Sequence, residues 1–147
     1  MSLSDKLMHD YNLFCEGLCP NGPYWDHVLS YWKASIENPE KILFLKYEDM
    51  KREPQLYVKK LAEFIGDPFS LKEEENGRVQ QIVDLCSFEF LSNLPVSKSG
   101  ILMHNVKNDA FYRKGDVGDW KNHLTLEMAQ RLDEISKQKL HGYGLTL

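Results

Sequence analysis

The sequence predicts an α/β fold that is mostly helical with one buried strand. Three observations lead there. Apolar residues recur at helical spacing through most of the chain. One short run, Ile42-Leu43-Phe44-Leu45, is apolar at consecutive positions, the pattern of a strand covered on both faces. Proline or glycine marks several boundaries between these runs, at residues 17–23, Pro39, Pro54, Gly66 and Pro95. With 147 residues, 42% hydrophobic and 12% aromatic, the chain suits a single domain with a core and not a disordered segment.

The elements follow in order. Leu7, Met8, Tyr11, Phe14 and Leu18 share one helical face, with Ser4 or Asp5 as its cap. Residues 17–23 are breaker-rich, with a turn-prone Asn21-Gly22, and Pro23 stands where a first helical residue belongs. Trp25, Val28, Leu29, Trp32 and Ile36 predict a second helix, ending near Asn38-Pro39. The strand over 42–45 then ends at Lys46-Tyr47-Glu48-Asp49. Ligands of open α/β sheets collect at strand carboxyl ends, which makes Tyr47 a candidate site residue.

Pro54 opens a helix with Leu56, Leu61, Phe64 and Ile65 inward and Gly66 as its stop. Glu73 to Cys86 predicts one further helix carrying Val79, Ile82 and Val83. Ser87 to Leu94 reads as a shorter amphipathic piece, and 95–123 as irregular. Thr125 caps the last helix, whose face is Met128, Leu132 and Ile135. A lone two-sided strand can neither pair its backbone nor cover its faces. That imbalance suggests a part of something larger.

The formal net charge is −4, from 18 basic and 22 acidic residues, with no long basic run. General nucleic-acid binding therefore has little support, whereas a local basic cluster can still hold a small anion. Cys15, Cys19 and Cys86 are an odd count and make no disulfide framework. Cys15 and Cys19 have helical i, i+4 spacing, but no second pair follows at finger spacing, so no metal site is expected. No apolar run approaches about 20 residues, so no membrane span is expected. Ser2-Leu3-Ser4-Asp5 after Met1 resembles neither a signal nor a transit peptide, and the default compartment is the cytosol.

The most informative segment is Arg113-Lys114-Gly115-Asp116-Val117-Gly118-Asp119-Trp120-Lys121. Two adjacent cations precede a residue without a Cβ, so an anion can approach the backbone amide closely. Arginine offers paired donors to a phosphate, and lysine a mobile point charge. A solvated turn is the alternative reading of these residues, since Lys-Gly and Asp-Gly pairs are common in turns.

With His123-Leu124-Thr125 after it, this segment resembles the signature loop of cytosolic sulfotransferases, Arg-Lys-Gly-x-x-Gly-Asp-Trp-Lys-x-x-x-Thr. Phe14-Cys15-Glu16-Gly17, Gly22 to Val28, Tyr31 to Ser35, Leu45 to Met50 and Leu85 to Glu89 are similar to the plant flavonol-type branch. The resemblance covers almost the whole chain. It implies that residues 1–147 are the C-terminal portion of a single P-loop-type parallel-sheet sulfotransferase domain. The implied donor is 3′-phosphoadenosine-5′-phosphosulfate, PAPS. Arg113, Lys114 and the Gly115 amide would hold its 3′-phosphate, and Tyr47 would hydrogen-bond near the adenine. Cys86, Ser87 and Phe88 would line the adenine pocket, with Phe88 against the base. Core packing is the alternative for Phe88, and a satisfied buried phenol for Tyr47.

Three family elements have no counterpart here: a Pro-Lys-Ser-Gly-Thr-like phosphosulfate loop, the catalytic histidine, and an Arg…Ser pair on the 3′-phosphate. Lys98-Ser99-Gly100 has no strand before it and no threonine after it. Of His9, His27, His104, His123 and His141, none matches the family's base. No catalytic residue is therefore expected, and the chain alone should be inactive. The acceptor implied is a hydroxyl on a small molecule such as a flavonoid or steroid. The aromatic stretch Tyr24 to Trp32 can line that side or pack in a core. Without the rest of the sheet, Trp25, Trp32, Phe44 and Leu45 would lose their cover, which favours association through exposed apolar surface. Two other readings stand beside this one. One is a non-catalytic nucleotide binder or partner of a full-length relative; the other is a helical interaction domain with a coincidental Arg-Lys-Gly loop.

Overall fold

The computed structural model describes residues 3–20, 22–101 and 106–146, with side chains from Asp5 onward. The Ser4 side chain, the Asn21 turn position and His104 lie outside the described residues, and Ser4 and Asp5, expected as the cap of the first helix, stand within α1 rather than before it. In chain order the helices are α1 (Leu3–Cys15), α2 (Tyr24–Glu37), α3 (Tyr47–Arg52), α4 (Pro54–Phe64), α5 (Leu71–Glu75), α6 (Arg78–Leu85), α7 (Phe88–Asn93), α8 (Pro95–Lys98) and α9 (Leu126–Leu140). Single 3-10 turns occupy Asn108–Phe111 and Asp119–Asn122. The chain divides into two compact units, Met1–Phe44 with Trp120–Leu147, and Leu45–Asp119.

The first unit packs α2 against α9. Trp25, Leu29, Leu140 and Leu145 form its buried centre, with Phe14, Trp32, Phe44, Leu132 and Ile135 around them. The Trp25 indole donates to Ser136 Oγ at 2.9 Å, and the Trp32 indole donates to the Tyr143 carbonyl at 2.8 Å. Tyr11 of α1 is buried, and its hydroxyl donates to the Met128 carbonyl at 3.0 Å. Burying a side chain as large as Trp25 contributes roughly 4–6 kcal/mol of transfer free energy as an upper estimate. The Thr125 hydroxyl accepts from the Met128 amide at 3.2 Å, so the expected cap of the last helix is present.

Two expectations about this unit are corrected. Trp25 is not bare: it is 2% exposed, because α9 and Leu145 close over it. That placement also fits the core-packing alternative for this part of α2. The run Ile42–Leu45 is not a buried strand. It lies half-buried without regular structure, and among the described residues the pairing is limited to one antiparallel bridge, Ile101 to Lys107. A strand exists through ladder bonds to a neighbour, and no second segment among the described residues pairs with this run.

The second unit is a set of short helices with explicit stops. Pro54 begins α4, and Gly66 adopts φ 84° just beyond its end, as expected. Ser70 and Glu73 form a reciprocal capping box at α5: the Ser70 hydroxyl accepts from the Glu73 amide, and the Glu73 carboxylate accepts from the Ser70 amide at 2.9 Å. The Ser70 hydroxyl also donates to that carboxylate at 2.7 Å, and this bond first, then the one from the Ser70 amide, holds the Glu73 carboxyl below its usual range. The single helix expected over Glu73–Cys86 is two helices, because Gly77 takes the left-handed conformation at φ 71° between them.

The packing here is thin. Helix α6 lies against α4 and α5, and Val79 is the buried apolar residue among those described in this unit. Ile82 and Val83 are half-buried. Leu56, Leu61 and Ile65, expected inward, are each more than a third exposed. Among the described elements α3 and α6 are the main neighbours of α4, and part of its apolar surface stays open. The Ser87 hydroxyl caps α7 by accepting from the Phe90 amide at 3.1 Å. Residues 95–123, expected to be irregular, include α8 and the 3-10 turns Asn108–Phe111 and Asp119–Asn122.

Candidate functional site

The loop from Tyr112 to Asp119 is shaped by Gly115, at φ 67°, and Gly118, at φ 83°. A side chain rarely adopts this region, so glycine is the natural occupant. At Gly115 a second reason applies. A Cβ built there would lie 2.5 Å from Cδ2 of Phe88 and 3.1 Å from Cε2. The aromatic ring therefore lies directly against the glycine, and only a bare backbone permits it.

Two more residues fix this loop. Tyr47, first residue of α3, donates its hydroxyl to the Gly115 carbonyl at 2.8 Å. Tyr47 opens a helix rather than closing a strand, and this bond spans 68 positions of sequence. The ring of Tyr112 sits 6.0 Å from that of Phe88 at an interplanar angle of 60°.

These contacts border an open apolar cleft of about 490 Å³ in the second unit. Tyr47, Cys86, Ser87, Phe88, Tyr112 and Gly115 are among its walls. That volume is in the range of small-molecule sites. Tyr57 is also on the wall. Its phenol is pushed up from the ordinary value, first by loss of surrounding water and then by the Asp49 carboxylate.

Arg113 and Lys114 immediately precede Gly115 but are not part of the cleft wall. Both reach one carboxylate, Asp119. Lys114 Nζ is 3.0 Å from its Oδ1, and the Arg113 guanidinium pairs with its Oδ2. The Asp119 side chain is 7% exposed, whereas Arg113 and Lys114 are 61% and 48% exposed. The arrangement presents two cations on one buried counter-charge, beside a glycine that walls an apolar cleft. Chemically it can receive an anion joined to a flat apolar group.

Of the residues singled out from sequence, Tyr47, Cys86, Ser87, Phe88 and Gly115 border one cleft, and Arg113 and Lys114 adjoin it through the chain. Sequence reasoning missed Tyr112, Tyr57 and Asp119. For Asp119 the signal was incomplete: the loop holds two acidic residues, and Asp116 proves to be exposed.

The sulfotransferase domain family model matches residues 2–144. Flavonol 3-sulfotransferase of Flaveria bidentis is 54% identical over 138 residues, which are 91% of this chain and 44% of that protein. Cytosolic sulfotransferase 5 of Arabidopsis thaliana is 51% identical over 135 residues, 92% of this chain and 42% of that protein. The crystal structure of a mouse sulfotransferase complexed with PAP superposes with a TM-score of 0.69 at 28% identity, covering 89% of this chain and 45% of that one. The chain thus spans less than half the length of the curated relatives it matches.

Proposed function

The chain belongs to the sulfotransferase domain family, and on that footing we propose that its second unit carries the adenine and 3′-phosphate side of a PAPS site. One observation carries the reading: Arg113 and Lys114 converge beside Gly115, and the Phe88 ring lies against that same glycine. In this reading the two cations and the Gly115 amide bind the 3′-phosphate. Phe88 stacks on the adenine, a contact worth roughly 1–3 kcal/mol in other nucleotide systems. Cys86 and Ser87 complete the adenine wall. Tyr47 acts at the adenine edge and braces the loop through its bond to the Gly115 carbonyl.

The reaction assigned to the whole protein is transfer of a sulfuryl group from PAPS to a hydroxyl of a small acceptor, a flavonoid, steroid or similar molecule. The relative named for flavonol sulfation and the PAP-bound structure support that class. The names of the Arabidopsis relatives support a cytosolic setting. We assign residues 1–147 to the C-terminal portion of one P-loop-type α/β domain, whose parallel sheet and phosphosulfate loop are supplied by other sequence. The 147 residues contain no Pro-Lys-Ser-Gly-Thr-like loop. Loss of a general base removes typically 10²–10⁴-fold in rate, and each missing donor on the transferred group about 2.7–4 kcal/mol more. Binding without turnover is therefore expected from this chain. That same observation favours a second reading, in which the chain acts as a residual nucleotide binder or as partner of a full-length relative.

The test is calorimetric titration of adenosine 3′,5′-bisphosphate into the purified chain, alongside an assay of sulfate transfer from PAPS to a flavonol. Arg113→Ala should weaken nucleotide binding by at least about tenfold, the loss of one charge-assisted contact. Unchanged affinity would remove the phosphate assignment. Turnover by the chain alone would overturn the expectation of inactivity.

A further inference from the structure

Arg113 and Lys114 are adjacent in sequence, and two like charges repel at short range. Their convergence needs a cause, and Asp119 supplies it. Both cations end on its carboxylate, one on each oxygen. The carboxylate is buried, and the cations it holds remain about half exposed or more. Asp119 is also the first residue of a 3-10 turn, Asp119–Asn122.

We propose that Asp119 is a positioning residue for phosphate recognition. It never touches the ligand. It holds the guanidinium and the ammonium at one point, so that a phosphate meets two cations already in place, and part of the ordering cost is met before binding. The inference rests on the reading of Arg113 and Lys114 as 3′-phosphate ligands. It adds a specific consequence: Asp119 governs preference for a nucleotide with a 3′-phosphate over one without it.

The experiment compares adenosine 3′,5′-bisphosphate with adenosine 5′-monophosphate by calorimetry, on the wild-type chain, Asp119→Asn and Asp119→Glu. Asp119→Asn should weaken the bisphosphate about tenfold, of the order of one charge-assisted interaction, and leave the monophosphate within about twofold. Asp119→Glu keeps the charge on a longer arm and should fall between the two. Equal weakening of both ligands would mean a merely structural role and overturn the proposal. Tighter bisphosphate binding would mark Asp119 as a competitor of the phosphate and overturn it too. If Asp119→Asn loses its helical dichroism, Asp119→Glu decides: bisphosphate affinity equal to wild type refutes positioning. A wild-type chain that does not distinguish the two nucleotides would instead remove the underlying assignment of Arg113 and Lys114.

Discussion

Gly115→Ala adds one carbon at a position where backbone and neighbour both resist it. The backbone sits at φ 67°, and a left-handed conformation costs an L-residue roughly 1–2 kcal/mol. The new Cβ would also stand 2.5 Å from the Phe88 ring, well inside contact distance. Relieving that overlap moves the ring or the loop, a disturbance comparable to overpacking, at about 1–3 kcal/mol. Gly77→Ala separates the two contributions. Gly77 has nearly the same backbone, φ 71°, but open space where a Cβ would go. The two variants should share the backbone cost, and Gly115→Ala should exceed Gly77→Ala by about 1–3 kcal/mol in urea unfolding followed by circular dichroism. Nucleotide affinity should divide them more sharply. Gly115→Ala displaces Phe88 from the cleft and loses about 5- to 160-fold, the range of one stacked base, while Gly77→Ala binds as wild type. Equal stabilities and equal affinities for the two variants would refute the claim that Phe88 requires a bare residue at 115.

Other expectations follow from the first unit and from the capping box. Trp25→Ala should cost about 3–5 kcal/mol in urea unfolding, since it empties the core centre and removes the donor to Ser136; a loss under about 1 kcal/mol would mean that the core collapses around the gap. Thr125→Ala removes the oxygen that accepts from Met128 and should cost about 1 kcal/mol, checked the same way. The lowered Glu73 carboxyl predicts an acid-sensitive contribution. A depressed folded-state value stabilises fully above the ordinary glutamate pKa, about 4.3, and the benefit disappears as pH falls through the lowered value. The difference in urea midpoint between wild type and Ser70→Ala should therefore narrow from pH 6 toward pH 3, and a constant gap would show that Glu73 is not involved.

What could be read from sequence was mostly local. Pro54, Gly66 and Thr125 act within one turn of themselves, and each does in the fold what its residue type favours. Gly77 was also visible, yet the apolar period of Val79, Ile82 and Val83 concealed the break beside it. Partners far along the chain were not legible. Ser136 stands 111 positions from Trp25, and no pattern near α2 announces it. The strand over 42–45 failed for a related reason: apolar character shows a wish for burial, but pairing depends on a second segment. At the candidate site, the need for a glycine at 115 followed from chemistry. Its close neighbour was not foreseen as the Phe88 ring, and only folding distinguishes Asp119 from Asp116 as the anchor.

The indole bonds of Trp25 and Trp32 bear on how unfolding will look to a spectrometer. The chain's three tryptophans, Trp25, Trp32 and Trp120, all belong to the unit that pairs the N-terminal helices with α9. Residues 45–119 hold none. Emission from Trp25 and Trp32 therefore reports loosening around Ser136 and Tyr143, whereas the wall of the Phe88 cleft carries no tryptophan. A reporter placed beside Gly115 would watch that cleft directly.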